Sequence, residues 1–178
     1  MFWIKEEKQT IRKCVLYLCA FLCLLCMTKK FQPEAAMVVA EGSQKCYVAI
    51  VIDDFGYDGE GTDDMIALEI PFTAAVMPFS NKSVENVEKL QAAGKEMIVH
   101  MPMESLTGKK EWVGDTGVFT SMSDEEITQC VKEAFSIVKG ATGLNNHMGS
   151  AIMENERCFS AVMNVVAENE LVFVDSMT

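Results

Sequence analysis

Histidine is nearly absent from this 178-residue chain, which holds two, His100 and His147. Any chemistry that needs imidazole must draw on that pair. Basic residues are scarce beyond the first forty positions: residues 41–178 carry nine Lys/Arg against twenty-three Asp/Glu. A body this acidic is a poor partner for nucleic acid, whose affinity comes from cations that neutralise phosphates. Usable cysteine is also scarce. Cys14, Cys19, Cys23 and Cys26 fall in one apolar run, which leaves Cys46, Cys130 and Cys158. Three dispersed cysteines make no disulfide framework, and they are expected to be free thiols.

Long apolar runs are limited to CVLYLCAFLCLLCM, residues 14–27, with Arg12 and Lys13 before it and Lys29 and Lys30 after it. It is shorter than the roughly 17–25 residues of a spanning helix and suits a signal-peptide core, with an uncleaved anchor as the alternative. Residues 1–28 therefore read as signal peptide or membrane anchor and 29–45 as a linker. The expected location is extracytoplasmic, in a bacterial cell envelope, secreted or anchored. Membrane contact would run through the N-terminal segment only.

With 49% apolar residues the chain can bury a core, and beyond residue 45 it alternates short apolar runs with helical periodicity. YVAIVI, 47–52, reads as a strand buried on both faces. FTAAVMP, 72–78, and EMIVHMP, 96–102, read as strands closed by proline. Between them SVENVEKLQAAG places Val84, Val87 and Leu90 on one helical face. Residues 103–122 lack periodicity and read as a long functional loop. Ser123 with Glu126 forms a capping box that opens a helix burying Ile127, Val131, Ala134, Phe135 and Val138. GLNNHMGS follows a short strand, a helix over roughly 154–168 buries Phe159, Val162 and Val166, and LVFVDSMT is a last strand. This order implies an α/β fold with a parallel sheet or barrel. Barrels of this kind usually take roughly 200 residues or more, so the reading is a C-terminal truncation of a longer frame.

The chemistry gathers at strand ends. Asp53 and Asp54 follow YVAIVI, His100 ends EMIVH, His147 follows a strand and Asp175 ends LVFV. In parallel α/β folds these ends converge on one face. One carboxylate and two imidazoles make the three-ligand set of a catalytic zinc site, and a second carboxylate could take a proton from water. Each residue alone has a plainer reading as a turn former, a helix cap or a hydrogen-bonded core histidine.

AIVIDDFGY, TAAVMPF, IVHMPME, GLNNHMGS and FVDSMT, in this order over residues 47–178, resemble the divergent polysaccharide deacetylase family, relatives of the NodB-type carbohydrate esterases. The resemblance implies an incomplete (β/α) barrel holding one divalent metal, usually zinc. It implies Asp54, His100 and His147 as ligands and Asp53 as general base toward an acetyl carbonyl. Asn145, Asn146 and Asp175 match family positions near the site, as groups that support the ligands or touch substrate. Glu104 either orients His100, lines the pocket or is a surface carboxylate. The implied substrate is an acetylated envelope glycan, and the alternative is a non-catalytic envelope protein that binds glycan on the same fold. Three departures stand out. The histidines are 47 positions apart rather than one helical turn, as in the NodB-type enzymes. Ala151 and Met177 occupy positions where the family often has a basic residue. The family also continues past its FVDS strand.

Overall fold

A computed structural model describes residues 46–177 of the chain. The expected leader and linker, residues 1–45, lie outside the described residues. Among the described residues no helix is long and apolar enough to cross a membrane.

Five strands form one sheet in sequence order, β1 (Val51–Phe55), β2 (Thr73–Val76), β3 (Glu96–Met103), β4 (Gly143–Met148) and β5 (Val172–Val174), every pairing parallel. Helices lie between them: α1 (Thr62–Ile66), α2 (Ser83–Ala92), α3 (Lys110–Val113), α4 (Asp124–Ile137), α5 (Ser150–Met153) and α6 (Glu156–Glu168). This is the α/β architecture of an incomplete barrel. Because all strands run the same way, their C-terminal ends share one edge of the sheet.

Burial follows position in the sheet. β3 is central, and seven of its eight residues are buried, as a mostly apolar run should be between two layers, with His100 the one buried polar residue among them. Pro102 does not close it. The strand continues to Met103, which bridges to Val118 of the following segment. β1 is the larger departure from expectation. It begins at Val51 rather than residue 47, lies at the sheet edge, and buries only Phe55. Tyr47 and Val48 are 89% and 85% exposed. An apolar run specifies strand, but its neighbours decide whether both faces are covered.

The helices pack as their periodicity dictates, with local corrections. α4 opens with the capping box: Ser123 Oγ accepts from Glu126 N, and Glu126 Oε2 accepts from Ser123 N. It buries Ile127, Val131 and Ala134 at i, i+4 and i+7, and Val138 beyond its end is also buried. Phe135 is half-buried at the flank of that stripe. In α2 Val84 is 59% exposed, and Ser83 and Asn86 take the buried face with Val87 and Leu90. Both polar groups are used there: Ser83 Oγ donates to Met77 O, and Asn86 Oδ1 accepts from Gly56 N. The helix expected over 154–168 begins at Glu156, capped by Asn155 Oδ1 accepting from Cys158 N, and α5 precedes it. It buries Cys158, Ala161, Val162, Val165 and Val166, while Phe159 is half-buried and packs edge-on against Phe173.

Cys158 is buried and Cys130 half-buried, both with free thiols. Burial pushes the Cys130 thiol up to about 11, so it stays protonated at neutral pH. The expected loop over 103–122 is partly ordered by α3 and by the Val118 bridge, which gives it a fixed place at the end of β3.

Candidate metal centre

Side chains alternate along a strand, so His100 and Pro102 share one face of β3, and Asn145 and His147 share one face of β4. The register places His100 opposite Asn145 and Pro102 opposite His147. Both imidazoles thus rise from adjacent strands on the same side, and their rings meet edge to face at 5.0 Å.

Asp53 and Asp54 pose a geometric difficulty, because consecutive residues of a regular strand point to opposite faces. The chain resolves it with an irregularity. The β1–β2 register shifts between Ile52 and Phe55, and Asp54 takes a left-handed conformation with φ 64°. Both carboxylates then reach the same imidazole: Asp54 Oδ1 lies 3.4 Å from His100 Nε2, and Asp53 Oδ1 lies 3.9 Å from His100 Nδ1. Gly56 makes the turn out of the strand possible. Its φ is 108°, and a Cβ there would lie 2.8 Å from Met77 O.

Protonation follows from donor and acceptor logic. Asp53 Oδ1 can only accept, so the Asn145 group 2.9 Å from it is the amide Nδ2, and Asn145 Oδ1 faces His100 Nδ1 at 2.8 Å. His100 Nδ1 must then carry the proton, which leaves Nε2 with a bare lone pair. Burial holds the His100 pKa below the ordinary imidazole value, although the Asn145 hydrogen bond and Asp53 oppose the shift. His100 is 3% exposed and neutral. Its contacts with the two carboxylates are therefore not ion pairs.

His100 Nε2, His147 Nδ1 and Asp54 Oδ1 are a group among the described residues placed to hold a metal ion. Their mutual distances are 3.2 Å between the nitrogens, 3.4 Å from His100 to Asp54 and 3.5 Å from His147 to Asp54. Ligands about 2.0–2.1 Å from a tetrahedral zinc ion lie about 3.3–3.4 Å apart, so the triangle has the right size for three corners of such a site. The set of two nitrogens and one carboxylate suits zinc, and one corner would stay open. His100 Nε2 turns its lone pair toward His147 Nδ1 at 3.2 Å and the Asp54 carboxylate at 3.4 Å, so all three groups converge on one point that a cation would fill. Asn145 supplies the outer support that metal-bound histidines use, a fixed acceptor on the far ring nitrogen.

The remaining expected residues divide. Asn146 is fully buried and serves the β4–β5 connection: Nδ2 donates to Met148 O, and Oδ1 accepts from Ser176 N. Asp175 is exposed and turns its carboxylate back on its own chain, accepting from Met177 N at 2.9 Å. Glu104 Oε2 accepts from both Thr120 N and Thr120 Oγ1 at 2.7 Å, which ties the 103–122 segment to β3. Those bonds hold its carboxyl below the usual carboxylate range. Sequence reasoning passed over Ser176, which donates from Oγ to Asn146 O and accepts from Asn145 Nδ2 at 3.3 Å. Its signal was its place right after Asp175 at a strand end, masked by the acidic residue beside it.

The sequence model of a family described as divergent polysaccharide deacetylase matches residues 50–178. YibQ of Escherichia coli strain K12, described as uncharacterized, is 34% identical over 131 residues, covering 74% of this chain and 40% of that protein. An uncharacterized protein of Haemophilus influenzae is 31% identical over the same length, covering 74% of this chain and 46% of its own. The crystal structure of the uncharacterized protein ATU2773 of Agrobacterium tumefaciens C58 superposes with a TM-score of 0.63 at 16% identity, over 71% of this chain and 52% of that one. At that identity the likeness supports the fold alone. The chain spans about half or less of the length of each of these proteins.

Proposed function

The chain belongs to the divergent polysaccharide deacetylase family, and on that footing we propose that it is a metal-dependent hydrolase removing acetyl groups from an envelope polysaccharide or amino sugar. The observation that carries the reading is the triangle of His100 Nε2, His147 Nδ1 and Asp54 Oδ1 with sides of 3.2, 3.4 and 3.5 Å. These three would hold one divalent ion, for which zinc fits best. Bound there, the ion would acidify water and offset negative charge on an acyl oxygen.

The chain's own groups divide the remaining work. Asn145 holds His100 in the tautomer that presents Nε2 and holds Asp53 through its other amide edge. Asp53, half-exposed beside the triad, is the base that takes a proton from water. A glycan partner outside the cytoplasm fits the apolar run at residues 14–27 and the acidic body, which suits a neutral or amino sugar better than a polyanion.

The test is metal analysis of the full chain followed by acetate release from acetylated chito-oligosaccharides and peptidoglycan fragments. Wild type is expected to bind one zinc, and Asp53→Asn to keep the metal while losing acetate release. His100→Ala and His147→Ala should lose the metal, and Asn145→Ala should weaken it about 10–100-fold through the loosened imidazole. If the histidine variants hold zinc as wild type does, the site is wrong. If zinc-loaded wild type releases no acetate, the deacetylase reading falls and a glycan-binding role on the same fold replaces it.

A further inference from the structure

The 103–122 segment carries an exposed aromatic that the metal triad leaves unused. α3 is a single turn, and its Val113, 5% exposed, packs inward, while Trp112 beside it is 60% exposed. Packing therefore accounts for the valine and not for the tryptophan. Trp112 borders a cleft of about 210 Å3 shared with Tyr57, Phe79, Ser80, Asn81 and Glu111. Tyr57 is itself 45% exposed.

We infer that this cleft is a sugar-binding subsite in which Trp112 stacks on the face of a pyranose ring next to the ring presented to the triad; the identity of that glycan rests on the deacetylase reading. Three observations carry it. The first is position. The cleft reaches Tyr57, three residues past Asp54, and Pro102, which shares the His100 face of β3 and pairs in register with His147. A chain threaded along the cleft arrives at the ligand-bearing ends of β1, β3 and β4.

The second is chemistry. A pyranose has a face of C–H groups and a rim of hydroxyls, so it needs an aromatic face for one and scattered hydrogen-bonding groups for the other. Tyr57, Phe79 and Trp112 supply the first, and Ser80, Asn81, Glu111 and Thr116 the second. Among the described residues Glu111 is the one charged residue of the lining, and Lys109 Nζ lies 5.8 Å from the centre of the Trp112 ring, so the two charges offset and the cleft suits a neutral sugar.

The third is rigidity. The segment that bears Trp112 is sewn to β3: Val118 N donates to Pro102 O, Glu104 N donates to Val118 O, and Thr120 is held by the Glu104 carboxylate. Gly117 permits the approach, since a Cβ there would lie 2.9 Å from Pro102 O. Arg157 fastens the far end, donating to Thr120 O and pairing with Asp124. Lys109 Nζ sits 5.8 Å from the centre of the Trp112 ring and steadies it further. A platform fixed before binding loses little freedom when a sugar arrives.

The experiment titrates tetra-N-acetylchitotetraose into the full chain and follows the Trp112 indole N–H signal by NMR, with the dissociation constant by calorimetry. The signal is identified by its loss in Trp112→Phe. The sugar is expected to shift it, and Trp112→Ala to weaken binding about tenfold, with Trp112→Phe recovering most of the loss. In steady state the same variant should raise KM by that factor and leave kcat in place. Circular dichroism of Trp112→Ala should match wild type, since the side chain is mostly exposed. An unshifted indole signal, or an alanine variant that binds as tightly as wild type, overturns the subsite. Acetate release with an unchanged KM in Trp112→Ala does the same while the deacetylase reading stands. Binding that depends on Trp112 without acetate release upholds the subsite and removes the deacetylase reading instead.

Discussion

Asp54 concentrates the cost of the site in one residue. It combines a left-handed backbone, φ 64°, with a carboxylate placed beside that of Asp53 and against two imidazoles. For an L-residue that backbone region costs about 1–2 kcal/mol, less for aspartate than for bulkier types. Without an ion the neighbouring carboxylates also repel. Asp54→Gly removes both burdens, since glycine enters the left-handed region freely. The expected outcome is a metal-free protein more stable by about 0.5–1 kcal/mol, after allowance for glycine's larger chain entropy, and unable to bind zinc. Urea unfolding in EDTA measures the first part and equilibrium dialysis the second. A midpoint that falls in the variant would mean that the strand, and not the ligand role, sets this conformation. No sequence pattern announces such a position. VIDD is legible as a strand with acid at its end, but the bulge that turns two adjacent carboxylates to one side arises from pairing with β2.

Among the elements, those specified by their own residues were legible and those specified by neighbours were not. Ser123 and Glu126 cap α4 because both partners lie within one turn. The expectation for β1 erred because its exposure depends on β2 being its one neighbour in the sheet. Likewise Val84 faces solvent because Ser83 and Asn86 find partners in the β1–α1 and β2–α2 turns, contacts that periodicity does not register. The segment between β3 and α4 has the same character: it has little periodicity, yet Glu104 anchors it across 16 positions through Thr120. Those two bonds favour the charged carboxylate and depress its pKa in the folded state. The stability they contribute is present above the unfolded glutamate pKa of about 4.3 and is lost as pH falls through the lower folded value. Glu104→Gln should therefore be less stable than wild type at pH 7, with the gap narrowing as pH drops below about 4. Urea denaturation at several pH values measures it. A gap that is the same at pH 3 and pH 7 would show that the carboxylate charge contributes nothing to holding the segment.

For the whole molecule the proposed metal triad would also be a crosslink, because Asp54, His100 and His147 come from β1, β3 and β4 and span 94 positions of sequence. β3 and β4 are buried at the centre of the fold, whereas β1 has one covered neighbour strand and buries a single side chain of five. An element with so few buried contacts opens more readily than the core does. An ion held jointly by Asp54 and the two histidines would fasten that weak edge to the strongest pair in the sheet. Zinc at about 100 times its dissociation constant should add about 2.7 kcal/mol, a rise of about 10 °C in melting temperature for a domain of this size. The gain should be local as well as global. Hydrogen exchange should slow most in β1, where opening is now coupled to release of the ion, and least in α6, whose packing does not involve the site. Differential scanning fluorimetry with zinc and with EDTA, followed by exchange measured by mass spectrometry, tests both statements. His147→Ala should lose the thermal gain and the β1 protection together. If the variant keeps both, the ion is bound elsewhere. If zinc raises the melting temperature of wild type but protects every element equally, the ion stabilises the fold without tying β1 to its core.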